Sequence, residues 1–184
     1  MLDVRPLEIA DVREIRPARH RDERGFFSET WNRKSWADAG IDLDFVQDNH
    51  SLSARAGVLR GLHYQVGAAA QDKLVRVTRG SVFDVAVDIR CSSPTFGRWV
   101  GCTLSAEEWN QLLVPKGFAH GFLTLVPDTE VVYKVSAPYS AADERAIRFD
   151  DPALAIAWPM VPGELTIAER DRNAPAMADA ELFA

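Results

Sequence analysis

Phe83-Asp84-Val85-Ala86-Val87-Asp88-Ile89 alternates large apolar residues with small or acidic ones. A period of two is the mark of a β-strand, whose successive side chains leave opposite faces. The alternation puts Phe83, Val85, Val87 and Ile89 on a buried face and Asp84, Ala86 and Asp88 on a polar one. Segments of the same kind follow at 111–114, 118–125 and 130–135. Between them turn formers return at short intervals: Arg79-Gly80, Ser92-Ser93-Pro94, Phe96-Gly97, Lys116-Gly117 and Pro127-Asp128. Such spacing predicts an all-β fold, an antiparallel sandwich or barrel. Ser105-Ala106-Glu107-Glu108 has the form of a capping box opening at most one helical turn.

Upstream, Gly57-Val58-Leu59-Arg60-Gly61-Leu62-His63-Tyr64-Gln65 also reads as a strand, and it brings a guanidinium and an imidazole close together. Strict alternation sends Arg60 and His63 to opposite faces unless a bulge intervenes. Residues 1–20 read as short strands and turns. Arg21-Asp22-Glu23-Arg24-Gly25 is a charged turn feeding a strand over Phe26-Phe27-Ser28-Glu29-Thr30-Trp31. Residues 32–39 predict a short helix, capped by Asn32 and stopped by Gly40. After Asp150, Pro, Ala and charged residues dominate up to Glu169-Arg170-Asp171-Arg172-Asn173-Ala174-Pro175, a tail expected to pack irregularly or helically on the barrel.

The 184 residues, 47% hydrophobic and 26% charged, suit one domain over 1–184 with a substantial core. Acidic residues exceed basic ones by 27 to 21, for a net charge of -6, so neither nucleic acid nor another polyanion is an expected partner, and an anionic ligand would need a locally basic pocket. No apolar run approaches the roughly 20 residues of a membrane span, and no signal-peptide core is evident, so a cytoplasmic location and no membrane partner are expected. Cys91 and Cys102 are read as unpaired thiols without chemistry.

Two of the four histidines, His63 and His120, stand in strand-like segments beside glycines. The second lies in Pro115-Lys116-Gly117-Phe118-Ala119-His120, which resembles the second half-motif of the cupins, small jelly-roll barrels that hold a metal or a substrate. Metal-binding cupins carry a His-x-His pair in the first half-motif. Here that place reads His63-Tyr64-Gln65, too few ligands for a metal site, so no metal or other cofactor is expected. A histidine oriented by a carboxylate can still act as a general base. A lysine such as Lys73 can stabilise an oxyanion, and a phenol such as Tyr133 can donate a proton.

The motifs Arg24-Gly25-Phe26-Phe27-Ser28-Glu29, Phe45-Val46-Gln47-Asp48-Asn49-His50-Ser51, Leu59-Arg60-Gly61-Leu62-His63-Tyr64-Gln65 and Lys73-Leu74-Val75-Arg76 follow one another in the chain. They continue with residues 83–90, Ser93-Pro94-Thr95-Phe96-Gly97, Pro115-Lys116-Gly117-Phe118-Ala119-His120-Gly121-Phe122 and Tyr133-Lys134. This ordered set resembles the dTDP-4-dehydrorhamnose 3,5-epimerases over residues 20–175. The resemblance implies a metal-free cupin jelly roll and a homodimer exchanging an N-terminal strand. It implies inversion of carbons 3 and 5 of dTDP-4-dehydro-6-deoxy-D-glucose, or, in a sibling enzyme, of one carbon of another 4-keto nucleotide sugar.

By the same resemblance His63 is the base, Asp171 its dyad partner, Tyr133 the acid and Lys73 the cation at the O4 oxyanion. Arg60 and His120 match sugar and diphosphate contacts. Arg24, Glu29, Gln47, Asp48, Asn49, Glu144 and Arg170 match substrate-binding positions, and Tyr139 matches the aromatic that stacks on thymine. Arg170 stands where many members carry Lys. The resemblance places Arg60 and His63 in one pocket. That requires a bulge near Gly61 or contact from the strand's end.

Overall fold

Short strands between turn residues fold back on one another in the computed structural model, which describes residues 2–184. The strands, in chain order, are β1 (Asp3–Pro6), β2 (Arg13–Arg16), β3 (His20–Asp22), β4 (Gly25–Phe27), β5 (Gln47–Ser53), β6 (Val58–Gln65) and β7 (Lys73–Arg79). They continue as β8 (Ser81–Asp88), β9 (Trp99–Ser105), β10 (Gln111–Val114), β11 (Phe118–Thr124), β12 (Thr129–Val135), β13 (Glu144–Ala146) and β14 (Thr166–Ile167). The α-helices are α1 (Arg33–Ala37) and α2 (Glu169–Arg172). One sheet has the order β1-β2-β10-β7-β12-β5, and the other β13-β6-β11-β8-β9 with β14 added parallel to β6. Two facing sheets of largely antiparallel strands make the all-β jelly roll implied by the sequence.

The apolar side chains form three layers. Val75, Val77, Val82, Leu104, Leu112, Phe118, Phe122 and Val131 fill the space between the sheets. Ile15, Trp36, Ile41, Leu74 and Leu113 form a second layer under α1. The third joins Leu62, Val85, Val87 and Ile89 to Ile147 and Leu154, with Trp158, Leu182 and Phe183 of the tail packed over it. The tail thus covers the outer face of β8, and this corrects the expected strand polarity. Both faces of β8 are buried, and it is the side bearing Asp84 and Ala86 that faces the barrel interior. A strand covered on both sides cannot be oriented from alternation alone.

Local expectations fare differently. Asn32 caps α1, its side chain accepting from the Lys34 and Ser35 N–H groups at 3.0 and 3.3 Å, and Gly40 ends the turn at φ +81°. The strand expected over 26–31 stops at Phe27. Ser105 does accept from the Glu108 N–H at 3.0 Å, but the segment closes as a turn without a helix. Cys91 and Cys102 are unpaired.

Candidate active site

The site begins with an irregularity in β6. His63 pairs with His120 of β11, but Arg60 pairs with Phe122, so Gly61 and Leu62 together oppose the single Gly121. Crossing this bulge reverses the side-chain parity. Arg60 before it and His63 and Gln65 after it line one cavity, while Leu62 joins the outer apolar layer. Gly61 has φ +132°, and a Cβ there would lie 2.5 Å from the Gly121 Cα, so the bulge requires glycine on both conformational and steric grounds.

Strand alternation delivers the other side chains to the same cavity, of about 610 Å³, a volume suited to a small-molecule ligand. β7 supplies Lys73, β11 His120, β12 Tyr133, and β5 Gln47 and Asn49. The tail closes the opposite wall through β14 and α2, which bring Arg170 and Asp171.

His63 Nε2 lies 2.7 Å from Asp171 Oδ1, and the carboxylate's Oδ2 accepts from the Gly61 N–H at 3.2 Å. Burial pushes the Asp171 carboxyl up, but the His63 and Gly61 hydrogen bonds and the neighbouring charges outweigh it and hold it below its ordinary value. An ionised Asp171 keeps the ring proton on Nε2 and leaves the lone pair on Nδ1, as a general base requires. The Lys73 Nζ donates to the His63 carbonyl at 3.1 Å. Burial lowers its pKa to about 8, against the opposing charges of Asp84 and Glu144. Burial also raises the Tyr133 phenol, with Arg60 opposing, so the phenol is held protonated. A base, a buried cation and a protonated phenol around one cavity can remove a proton beside a carbonyl, hold the enolate and return a proton.

At the mouth, the Tyr139 hydroxyl donates to Glu144 at 2.9 Å, and Arg170 reaches the same carboxylate at 3.4 Å. The Tyr139 backbone is fixed by its N–H on Gln47 Oε1 at 2.9 Å, and that of Ser140 by its N–H on Gln65 Oε1 at 2.7 Å. Gln65 gave no chemical signal in the sequence, since its task is to hold a loop. Asp84 was also missed, because alternation placed it outside. In fact its Oδ1 stands 2.8 Å from His120 Nε2.

Three expected site residues lie outside the cavity of their own chain. Arg24, on the exposed β3–β4 hairpin, pairs with Asp22. Glu29 accepts from Asn32 and Ser35 at the start of α1. Asp48 alternates to the outer face of β5, where Lys134 holds it at 2.8 Å. Among the described residues no three His, Cys, Asp or Glu side chains are grouped as metal ligands.

The family model described as dTDP-4-dehydrorhamnose 3,5-epimerase matches residues 6–179. The chain is 51% identical over 183 residues to the dTDP-4-dehydrorhamnose 3,5-epimerase of Shigella flexneri, covering 99% of each. Among solved structures, the Bacillus anthracis epimerase with TDP and PPi bound aligns with a TM-score of 0.91 at 46% identity, over 96% of this chain and 99% of that one. A Legionella pneumophila epimerase in complex with dTDP-4-keto-L-rhamnose aligns with a TM-score of 0.92 at 44% identity, over 97% and 94%.

Proposed function

We infer the workings of the cavity from one premise: the chain belongs to the dTDP-4-dehydrorhamnose 3,5-epimerase family. It is an isomerase that inverts carbons 3 and 5 of dTDP-4-dehydro-6-deoxy-D-glucose to give dTDP-4-dehydro-L-rhamnose. Both carbons flank the C4 ketone, so loss of either proton gives an enolate. His63 Nδ1 takes the proton, the C–H electrons form the carbon–carbon double bond, and the carbonyl pair moves onto O4. Lys73 holds the oxyanion. Tyr133 then gives its proton to the carbon from the opposite face, and solvent resets phenolate and imidazolium. The observation that carries this reading is the 2.7 Å contact of His63 with the buried Asp171, in a cavity shared with Lys73 and Tyr133.

Arg60 and Arg170 provide local positive charge for the diphosphate on an otherwise acidic chain, a guanidinium matching phosphate oxygens in pairs, and His120 adds a ring nitrogen to the polar contacts. Gln47, Asn49 and Glu144 meet the remainder of the nucleotide, and Tyr139 stacks on thymine. At Asp48 the contact falls to the main chain, β5 being an edge strand. Arg24 and Glu29 reach substrate only in a homodimer, where the N-terminal segment crosses to a second copy. That arrangement is supported by the exposed hairpin, on which Phe26 and Phe27 are 49% and 72% accessible.

Incubation with the 4-keto sugar nucleotide in heavy water tests the reaction: deuterium enters at carbons 3 and 5 of the epimerised product. Label at one carbon only would make the protein a single-carbon epimerase. Label at neither would overturn the reading. Sedimentation tests the dimer, with Phe27→Asp expected to shift it to monomer.

A further inference from the structure

His63 and His120 face one another as cross-strand partners, and each is backed by an aspartate. The mechanism uses only Asp171. The second, Asp84, is fully buried in β8, with Oδ1 2.8 Å from His120 Nε2. Its Oδ2 is also buried and has no hydrogen-bond partner among the described residues. A carboxylate left half-satisfied inside a barrel costs stability that an apolar residue would not, so packing alone gives no reason for it.

We propose that Asp84 is a positioning residue for the epimerisation. It holds the His120 ring through Nε2, and it supplies the buried negative charge against which Lys73 remains an ammonium facing the enolate oxygen. The Lys73 Nζ is engaged by one uncharged oxygen, the His63 carbonyl. Lys73 shares its surroundings with Arg60 and His63 of β6, His120 of β11, Tyr133 of β12, Glu144 of β13 and Asp171 of α2. Asp84 and Glu144 are the carboxylates whose charges keep its proton on, and Asp84 is the one fully shielded from water. Such a charge is screened least and acts at longer range than an exposed one. Holding His120 by Nε2 also presents Nδ1 as the ring's remaining polar atom for the sugar nucleotide.

The proposal rests on the epimerase reading for its kinetic test. Asp84→Asn keeps the shape and removes the charge. Its kcat should fall roughly 10- to 100-fold, less than the loss of an oxyanion donor itself, with KM little changed. The alkaline limb of its kcat profile should move to lower pH, which a purely structural role would not produce. An alkaline limb that does not move in a folded variant would overturn the proposal, whether or not kcat falls. Should Asp84→Asn not fold, ¹⁵N NMR of wild-type His120 decides: the Nε2-protonated tautomer supports the proposal and the Nδ1-protonated one overturns it. A wild type without turnover would instead defeat the epimerase reading, and the tautomer would still judge Asp84.

Discussion

Arg60 and His63 line one cavity, although an odd spacing on a regular strand sends side chains to opposite faces. They meet because Gly61 and Leu62 together oppose Gly121, and the extra residue restores a common face. The Arg60 guanidinium and the His63 imidazole are therefore brought to one cavity by a defect in the strand.

Gly61→Ala tests that dependence. At φ +132°, with the Gly121 Cα 2.5 Å from the new Cβ and the His120 carbonyl at 2.9 Å, backbone must move. Strain at such a φ costs about 1–3 kcal/mol before any clash is counted. Denaturant unfolding should show a loss of at least about 2 kcal/mol, and turnover should fall more than 10²-fold as His63 shifts from Arg60. Wild-type activity at wild-type stability would mean that the bulge does not set the site.

His63→Asn should abolish deuterium exchange at both carbons while nucleotide affinity changes little, because one base serves both steps. The loss should be at least the roughly 10²- to 10⁴-fold typical of a positioned acid–base group. Asp171→Asn should act in the same direction but less completely, since the imidazole stays in place. Exchange by His63→Asn near the wild-type rate would assign the histidine a structural role.

Tyr133→Phe removes the donor and leaves base and oxyanion site intact. Enolate formed by this variant is reprotonated from the original face, so solvent exchange at carbon 5 should outlast product formation. NMR of substrate recovered from heavy water measures both. Equal loss of exchange and inversion, with binding preserved, would move Tyr133 to proton abstraction or substrate positioning.

Turnover should survive exhaustive chelation, because the first half-motif lacks its His-x-His pair and the Nε2 atoms of His63 and His120 are both engaged by aspartates. Activity lost to a chelator and restored by one specific divalent ion would contradict this.

Asp88 governs acid stability. Burial pushes its carboxyl up, but hydrogen bonds from Arg90, Ser93 and Thr95 prevail and set its pKa at about 2. With the folded value below the ordinary 3.8, the unfolded chain binds more protons between them. The stabilisation is thus present above about pH 4 and is lost as pH falls toward 2, on the order of 2 kcal/mol. Asp88→Asn also breaks the paired Arg90 contact at 2.8 and 2.7 Å, leaving Arg90 its ion pair with Asp11, and should cost about 2 kcal/mol at pH 7. Denaturant melts of both proteins from pH 7 to 2.5 should show their difference shrinking only below pH 4. A difference constant with pH would rule Asp88 out as the titrating group.

The strand and turn periodicities determined the all-β class and the order of motifs determined the family, since both depend on residue type and local spacing. The Asn32 cap was legible because its partners lie two and three residues away. Which way a strand faces was not. The tail covers the apolar side of β8, and Asp84 and Asp88 are buried against His120 and against Arg90, Ser93 and Thr95. The meeting of His63 with Asp171, 108 residues apart, and the common face of Arg60 and His63 were implied by the family resemblance, but the 2.7 Å contact and the bulge that produce them belong to the tertiary structure. Both depend on the register of β6 against β11 and on the docking of α2, long-range pairings that no local spacing encodes.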